Sequence, residues 1–565
     1  GYKVFTTVTS KLQHAAQQAV VNNIFSYDQR HGYRGPISTL RPLDDQAKKN
    51  SASDSNEIKM APITNEEIIT ALNPLSSYHS IEPAVVTDTF ERTAKVTLQD
   101  GSEVNINWQG LAWARAYIND DKQAAPPTVA SDILALGDIV MVAPTEDGYR
   151  LSQLPEVSSA LVSLATDNGA IKAAVGGFSF EQSQFNRVTQ AKRQVGSNIK
   201  PFIYSSIVND APINQWDRSS GVVWRPKNSP PVYSGEIRFR LALAQSKNVI
   251  AVRLLREVGL DKVIPYIARF GFNPIDLPRN ESLALGSASL TPLEVATGFA
   301  TFANGGFLIK PYLIERIEDS FGKVLFQANP AIACDRCDET METLPKTNDV
   351  SSNSFELVTS EHEQLAPIKI NKAPRVISAQ NAFLMTEALN SAIWGADWNL
   401  KPFWQGTGFR ARALNRRDIA GKTGTTNQAK DAWFSGYSRR LVTTSWIGFD
   451  NPSRNLGQTS YNSNLGKDQT TGKEFGAKSA QPAWINFMKE ALADMPVENF
   501  EQPVALMSVR IDKLSGKLTT KTDRSSRFEY FELGTAPTEY ISQDISSEIL
   551  DGGDSDISTE DGIFD

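Results

Sequence analysis

The sequence predicts a mixed α+β protein, with an antiparallel sheet set between helices in a large domain and a small β-barrel inserted ahead of it. Three observations carry that expectation. Residues 85–153 hold only short alternating apolar runs separated by turn residues, whereas residues 156–500 mix such runs with helical ones. A chain of 565 residues also exceeds what one ordinary core organises, so two to four domains are expected.

The elements follow in order. Val8 to Phe25 reads as an amphipathic helix with Leu12, Ala15, Ala16, Ala19, Val20 and Ile24 on one face, stopped by Gly32, Gly35 and Pro36. A polar stretch from about Arg41 to Lys59 reads as a loop. Val96-Thr-Leu-Gln-Asp-Gly-Ser-Glu-Val-Asn-Ile is a hairpin pattern turning at Asp100-Gly101, and Asp138–Val142 and Gly148–Leu151 add strands. Together they suggest a small OB-like barrel. A second hairpin, Ala160–Val175, opens the larger domain. A polar insertion interrupts that domain at about 335–372. The expected division is 1–60, a linker and helix packing on the large domain; 61–155, the barrel; 156–500, the large domain; and 501–565, an extension with an acidic tail.

Composition excludes several classes. Hydrophobic content of 40% with 21% charged residues is that of a folded, soluble protein, and no run approaches the roughly 18–20 apolar residues of a membrane span. The chain opens at Gly1 without a signal sequence, the pattern of an excised or matured fragment. The net charge of −7 is local: Gly534–Asp565 holds nine acidic and no basic residues, and the balance without them is +2. No basic footprint for a nucleic acid is present. The tail reads most simply as a disordered end, with a binding arm as the alternative. Cys334 and Cys337 form a C-x-x-C in a polar loop. No second pair accompanies them and His31, His79 and His362 lack ligand spacing, so a local disulfide is preferred over zinc or redox chemistry.

Three short motifs carry the chemistry. Ser197-Asn198-Ile199-Lys200 is an S-x-x-K, Ser246-Lys247-Asn248 an S-x-N, and Lys422-Thr423-Gly424 a K-T-G. A chain this long holds about two of each of the first two by chance but only about 0.1 of the third. The decoys are visible: Ser320-Phe-Gly-Lys323 reads as a turn between strands, and Ser351-Ser-Asn353 and Ser460-Tyr-Asn462 are further S-x-N matches. Ser197 instead opens a helical run from Lys200 to Val208, which puts Lys200 one turn along the same face and offers the free N–H groups of a helix start. Asn248 in turn precedes the helix Val249–Leu255, which it could cap.

A serine hydroxyl needs a base, and no histidine lies in these motifs. Lys200 is the expected base if burial and a neighbouring cation, Lys422, lower its pKa. Ser246 would relay the proton and Asn248 would orient a substrate amide. K-T-G is expected on the first strand of a three-strand meander, where Gly424 lets a peptide backbone approach. Thr423 and Thr425 would hold a substrate carboxylate against Lys422.

At these motifs the chain resembles the class A high-molecular-weight penicillin-binding proteins of the 1a type from Gram-negative bacteria. The resemblance extends to Phe185-Asn-Arg-Val-Thr-Gln-Ala-Lys-Arg-Gln-Val-Gly-Ser-Asn-Ile-Lys-Pro, Trp224-Arg-Pro-Lys-Asn-Ser-Pro-Pro, Leu283-Ala-Leu-Gly-Ser, Thr291-Pro-Leu and Phe302-Ala-Asn-Gly-Gly, and to the opening Thr6–Ala16. It implies a D,D-transpeptidase that acylates Ser197 with a stem peptide, releases D-Ala and passes the acyl group to a neighbouring stem's amine, usually of diaminopimelate. β-Lactams would block it. It also implies an oxyanion hole from the Ser197 and Thr425 backbone N–H groups, and no metal or organic cofactor. The glycan substrate would derive from lipid II, and a regulatory protein could dock on the barrel. The family's membrane anchor and glycosyltransferase domain do not precede Gly1, so glycan polymerisation is not expected of this chain. The native protein would be anchored at the periplasmic face of the inner membrane. The E-x-x-L-N of a class A β-lactamase is absent, Glu281-Ser-Leu-Ala-Leu being the nearest match. A carboxypeptidase and a non-catalytic penicillin sensor or scaffold remain as alternatives.

Overall fold

The computed structural model describes residues 1–40, 63–204, 208–210, 215–216, 223–224, 227–228, 231, 235–335, 337, 370–397 and 404–541. The expected loop at 41–59, nearly all of the polar insertion and the acidic tail from 542 onward lie outside the described residues.

The first helix, α1 (Ser10–His31), runs a turn and a half past its expected end, to Gly32 at φ +103°. The apolar period fails at Ser26, but burial does not. Tyr27 donates to the Leu456 carbonyl (2.7 Å), Asp28 receives Arg34, and Arg30 reaches Glu474. Buried polar groups matched by distant partners leave no hydrophobic period to read.

A short helix, α2 (Asn65–Leu72), opens with a full capping box between Thr64 and Glu67. The barrel strands follow: β1 (Glu82–Thr89), β2 (Ala94–Leu98), β3 (Glu103–Ile106), β4 (Asp138–Thr145) and β5 (Gly148–Ser152). Their order is β4-β1-β2-β3-β5, with β5 also pairing to β4, so the sheet closes on itself. All pairs are antiparallel except β3 with β5, joined at Ile106 and Tyr149. The turn between β2 and β3 places Gly101 at φ +83°, the left-handed conformation that the Asp-Gly pair signals. Ser38–Thr39 also pairs with β4, so the barrel recruits chain from before residue 61.

The larger domain is built on five antiparallel strands. β6 (Ser158–Ala165) and β7 (Ile171–Val175) form the expected hairpin. After α3 (Phe239–Ala244), α4 (Asn248–Val258), α5 (Pro292–Ala303) and α6 (Ala379–Trp394) come β8 (Ala420–Thr425), β9 (Asp431–Tyr437) and β10 (Leu441–Gly448). The order is β7-β6-β10-β9-β8, which leaves the K-T-G strand at the edge. The sheet is covered on both faces. Along β9, Trp433 and Tyr437 join the cluster containing α5, while Ala432 and Phe434 join α1 and α7 (Gln481–Ala491). That alternation of two apolar faces is what a central strand of a three-layer domain requires. A C-terminal hairpin, β11 (Leu506–Asp512) with β12 (Ser526–Glu532), lies against α6, where Tyr530 meets Phe383 edge to face.

Two smaller expectations also fall within the described residues. Cys334 and Cys337 are paired in a disulfide. The decoy Ser320 sits in the turn between strands Ile314–Glu318 and Val324–Gln327.

Candidate active site

Ser197 lies in a tight turn wedged between β8 and the segment ending at Gly286. Gly196 sits at φ +53°, and a Cβ there would come within 2.5 Å of the Thr425 carbonyl oxygen. Gly196 N–H donates to Gly286 O (3.0 Å), and a Cβ on Gly286 would fall 1.8 Å from Gly196 O. On the other flank Asn198 Nδ2 donates to Ser435 Oγ on β9 (3.3 Å). With both neighbours packed on the sheet, half-buried Ser197 is fixed beside Thr425.

Two expectations change here. The helix expected from Lys200 to Val208 is a 3-10 turn, Gly196–Ile199, followed by a single α-helical turn, Lys200–Ile203; Tyr204 is extended and Val208–Asp210 pairs as a strand with Gly235–Ile237. So short a helix supplies little macrodipole, and the polar assistance available to Ser197 is local backbone N–H. Phe202, ringed by Phe270, Phe272, Phe299 and Phe302 at 4.8–5.5 Å, anchors this turn instead of helix length. Gly424, expected to admit a substrate backbone, faces protein: a Cβ would lie 2.7 Å from Val195 O and 3.2 Å from Asn198 Cγ. Its missing side chain makes room for the Ser197 turn.

Behind Ser197 two fully buried lysines meet at one hydroxyl. Lys200 Nζ donates to Ser246 O (2.5 Å), Asn248 Oδ1 (2.6 Å) and Ser246 Oγ (3.2 Å). Lys422 Nζ donates to Ser246 Oγ (2.9 Å) and Thr423 O (3.0 Å). Ser246 holds a left-handed backbone, φ +55°, a strained conformation for a residue with a side chain. Burial drives the Lys200 pKa well below its ordinary value, helped by the charge of Lys422; burial alone lowers Lys422 to about 7. Lys200 makes no hydrogen bond to Ser197 Oγ in this arrangement, its three N–H directions being taken by Ser246 and Asn248.

Asn248 does not cap its own helix. Asn228 Oδ1 receives the N–H groups of Asn248 (3.0 Å) and Val249 (3.2 Å), which releases the Asn248 side chain to face Lys200. Asn228→Ala is expected to destabilise the domain by about 1 kcal/mol, the usual cost of a lost cap. It should also slow acylation of Ser197 several-fold, measured by penicillin labelling beside thermal melting.

The edge of the sheet defines a groove. Thr426 N–H donates to Asp431 O, its register partner, so Gly424 and Lys422 also direct their main-chain groups at β9. The main-chain groups of Thr423 and Thr425 then point to the open side, where an extended peptide can add as a strand. Thr423 Oγ1 donates to Thr407 (2.8 Å), while Thr425 Oγ1 accepts from Gly476 N–H (3.0 Å) and keeps its own proton to donate.

Gly476 is itself tethered. Two residues earlier, buried Glu474 binds Arg30 through both carboxylate oxygens (2.8 and 2.7 Å), His31 (3.2 Å) and Lys478 (3.1 Å). Burial opposes its charge, but Arg30, His31 and Lys478 outweigh burial and hold it well below the carboxylate range. Glu474 N–H also donates to Gly457 O, beside the barrel's Asp120 carbonyl, which receives Gln458 N–H. Sequence reasoning missed Asn228, Thr407, Glu474 and Gly476. Only Asn228 lay in a segment already singled out, and Glu474 with Lys478 offered an i,i+4 pair.

A serine turn, two buried lysines around a second serine, and a K-T-G strand at the sheet edge are the parts that serine acyl transfer requires. Residues 160–458 match the penicillin binding protein transpeptidase domain, and residues 33–157 match the penicillin-binding protein OB-like domain. The chain belongs to the penicillin-binding protein transpeptidase family. It is 46% identical to penicillin-binding protein 1A of Vibrio cholerae over 97% of this chain and 64% of the relative. It is 45% identical to penicillin-binding protein 1A of Escherichia coli over 98% and 66% respectively. The chain thus spans just under two thirds of the length of these curated relatives. Among solved structures it resembles penicillin-binding protein 1A from Haemophilus influenzae, with TM-score 0.77 and 40% identity over 96% of this chain and 73% of that one.

Proposed function

We propose that this chain is a D,D-transpeptidase in which Ser197 is acylated by a peptidoglycan stem peptide with loss of D-Ala, and by β-lactams. The observation that carries the reading is the pair of buried lysines sharing Ser246 behind a serine turn locked to the K-T-G edge. The stem peptide adds alongside β8, its terminal carboxylate beside Lys422 and the Thr425 hydroxyl. Lys200 gives up a proton, keeps its two shorter bonds to Ser246 O and Asn248 Oδ1, and turns the freed lone pair to Ser197 Oγ. As Ser197 attacks, the oxyanion is held by the Ser197 and Thr425 backbone N–H groups. Ser246 Oγ, between the two amines, passes the proton to the departing D-Ala nitrogen. A second stem's amine, such as that of diaminopimelate, then takes the acyl group from Ser197.

The barrel is read as a docking module for a regulatory protein and the site as periplasmic, by analogy with cell-envelope relatives. Among the described residues no helix is long and apolar enough to cross a membrane.

The deciding experiment incubates the chain with fluorescent penicillin beside Ser197→Ala. A long-lived adduct present in the parent and absent from the variant supports the reading. Rapid release of opened antibiotic identifies a β-lactamase, and no adduct identifies a scaffold. Water in place of the acceptor amine would make a carboxypeptidase, read as release of D-Ala without cross-linked product.

The pH profile carries a second expectation. Lys200 must be neutral and Lys422 charged, so kcat/KM rises as Lys200 loses its proton and falls as Lys422 does, near pH 7. Lys422→Arg, which stays protonated, is expected to move the descending limb at least two pH units upward. A limb that stays near 7 in the variant would remove Lys422 from this role.

A further inference from the structure

The two faces of β8 carry different chemistry. Pairing of Thr423 with Phe434 and of Thr425 with Ala432 puts both threonine side chains on the face covered by α1 and α7. Lys422 and Gly424 point to the other, toward Ser246 and the Ser197 turn. Two segments flank the threonines. On one side Thr407 Oγ1 accepts from Thr423, and Gln481 of α7 donates to Gly408 O (2.7 Å), which fixes the start of the 3-10 segment Phe409–Leu414. On the other, Gly476 N–H donates to Thr425 Oγ1. Arg410 spans the two. Its guanidinium lies 5.1 Å from the centroid of the Phe409 ring and 5.8 Å from that of Phe475, the residue next to Gly476.

No carboxylate among the described residues answers this cation. Arg30, Arg193, Arg240 and Arg416 each meet one. Half-buried Arg410 has no ion pair, and its side chain no hydrogen bond, among the described residues; burial lowers its pKa with no anion to offset it. Glu474, one residue from Phe475, is already engaged by Arg30, His31 and Lys478. A guanidinium held partly out of water is unfavourable until an anion joins it, and its planar fork suits a carboxylate. Lys422 meets that need only in part. It sits on the opposite face, gives N–H groups to Ser246 Oγ and Thr423 O, and is lowered by burial to about 7. Arg410 stays charged throughout the neutral range.

We infer that Arg410 is a further substrate-binding residue, whose guanidinium donates to the terminal carboxylate of the acyl-donor peptide beside the Thr425 hydroxyl. The carboxylate then lies between two cations, Arg410 and Lys422, at the open edge of β8. The inference rests on the acyl-transfer reading of Ser197 and names what that site uses to select a peptide with a free C-terminus.

The test uses two thioester donors with the same acyl-D-Ala group and different leaving thiols: thioglycolate, which has a free carboxylate, and thioglycolamide, which has none. Acylation of Ser197 breaks the thioester and releases the thiol, which is titrated to give kcat/KM. The parent is expected to favour the carboxylate donor. Arg410→Gln should lose about tenfold or more on that donor, the worth of one hydrogen bond to a charged group, and less than about twofold on the amide donor. Arg410→Lys should recover part of the loss. Both donors are compared on one preparation, so their ratio does not depend on how much of the variant is folded. Equal losses on the two donors mark a structural role. An undiminished preference in Arg410→Gln, or no preference in the parent, removes Arg410 from carboxylate recognition. Each of these results overturns the inference and leaves the Ser197 reading intact. A parent chain that neither releases thiol nor is labelled by penicillin overturns both.

Discussion

Lys200→Met lowers the acylation rate of Ser197 by about 10²–10⁴-fold, the range a positioned general base contributes. Methionine keeps the length of the side chain and removes the amine, so the buried space stays filled. Melting should change little, because the substitution also removes a buried group whose charge burial opposes. The loss would be specific to the chemical step, seen as slow adduct formation in stopped-flow mixing with fluorescent penicillin at saturating concentration. Lys200→Arg should fail to rescue it, since a guanidinium does not become neutral and cannot accept the serine proton. Acylation at the parent rate in Lys200→Met would transfer the base to Lys422, the other amine on Ser246.

Gly286→Ala is expected to cost both stability and activity. The residue sits at φ +86°, which costs alanine about 1–2 kcal/mol before any contact is considered. The added carbon would fall 1.8 Å from Gly196 O, and main chain cannot swing aside as a flexible side chain does. One of the two segments must shift, and with it the turn carrying Ser197. A displacement near 1 Å is worth about 10²-fold in rate. The expected result is a lower melting temperature for the large domain together with at least a hundredfold slower penicillin labelling. Gly305→Ala makes the control, because it shares the left-handed backbone (φ +81°) but meets no atom within 4 Å. Equal labelling defects in the two variants would point to backbone strain in place of the contact with Gly196.

The comparison of sequence with structure divides along physical lines. The meeting of Lys200, Ser246, Asn248 and Lys422 close to Ser197 was legible because the proposed acyl transfer asks for those side-chain types in fixed local spacing. The barrel hairpins and the meander were legible from alternation and turn residues. What escaped was set by contacts between segments that no local pattern links, from 16 to 444 residues apart. Glu474 reaches Arg30, Thr407 reaches Thr423, and Asn228 caps a helix that begins twenty residues later. Gly424 was read as open to substrate because a glycine in a strand announces a close approach without saying to what. The length of α1 was underread for a similar reason: its last turns bury polar side chains matched to distant partners.

Glu474 ties three pieces of the molecule into one cooperative block. The far end of α1, the loop braced by the barrel and the Gly476 N–H that holds Thr425 all converge on one carboxylate, so the carboxylate-side rim of the groove has no small motion of its own. Amide hydrogen exchange at Gly476 should therefore be as slow as in the central strands, opening only when the sheet itself does.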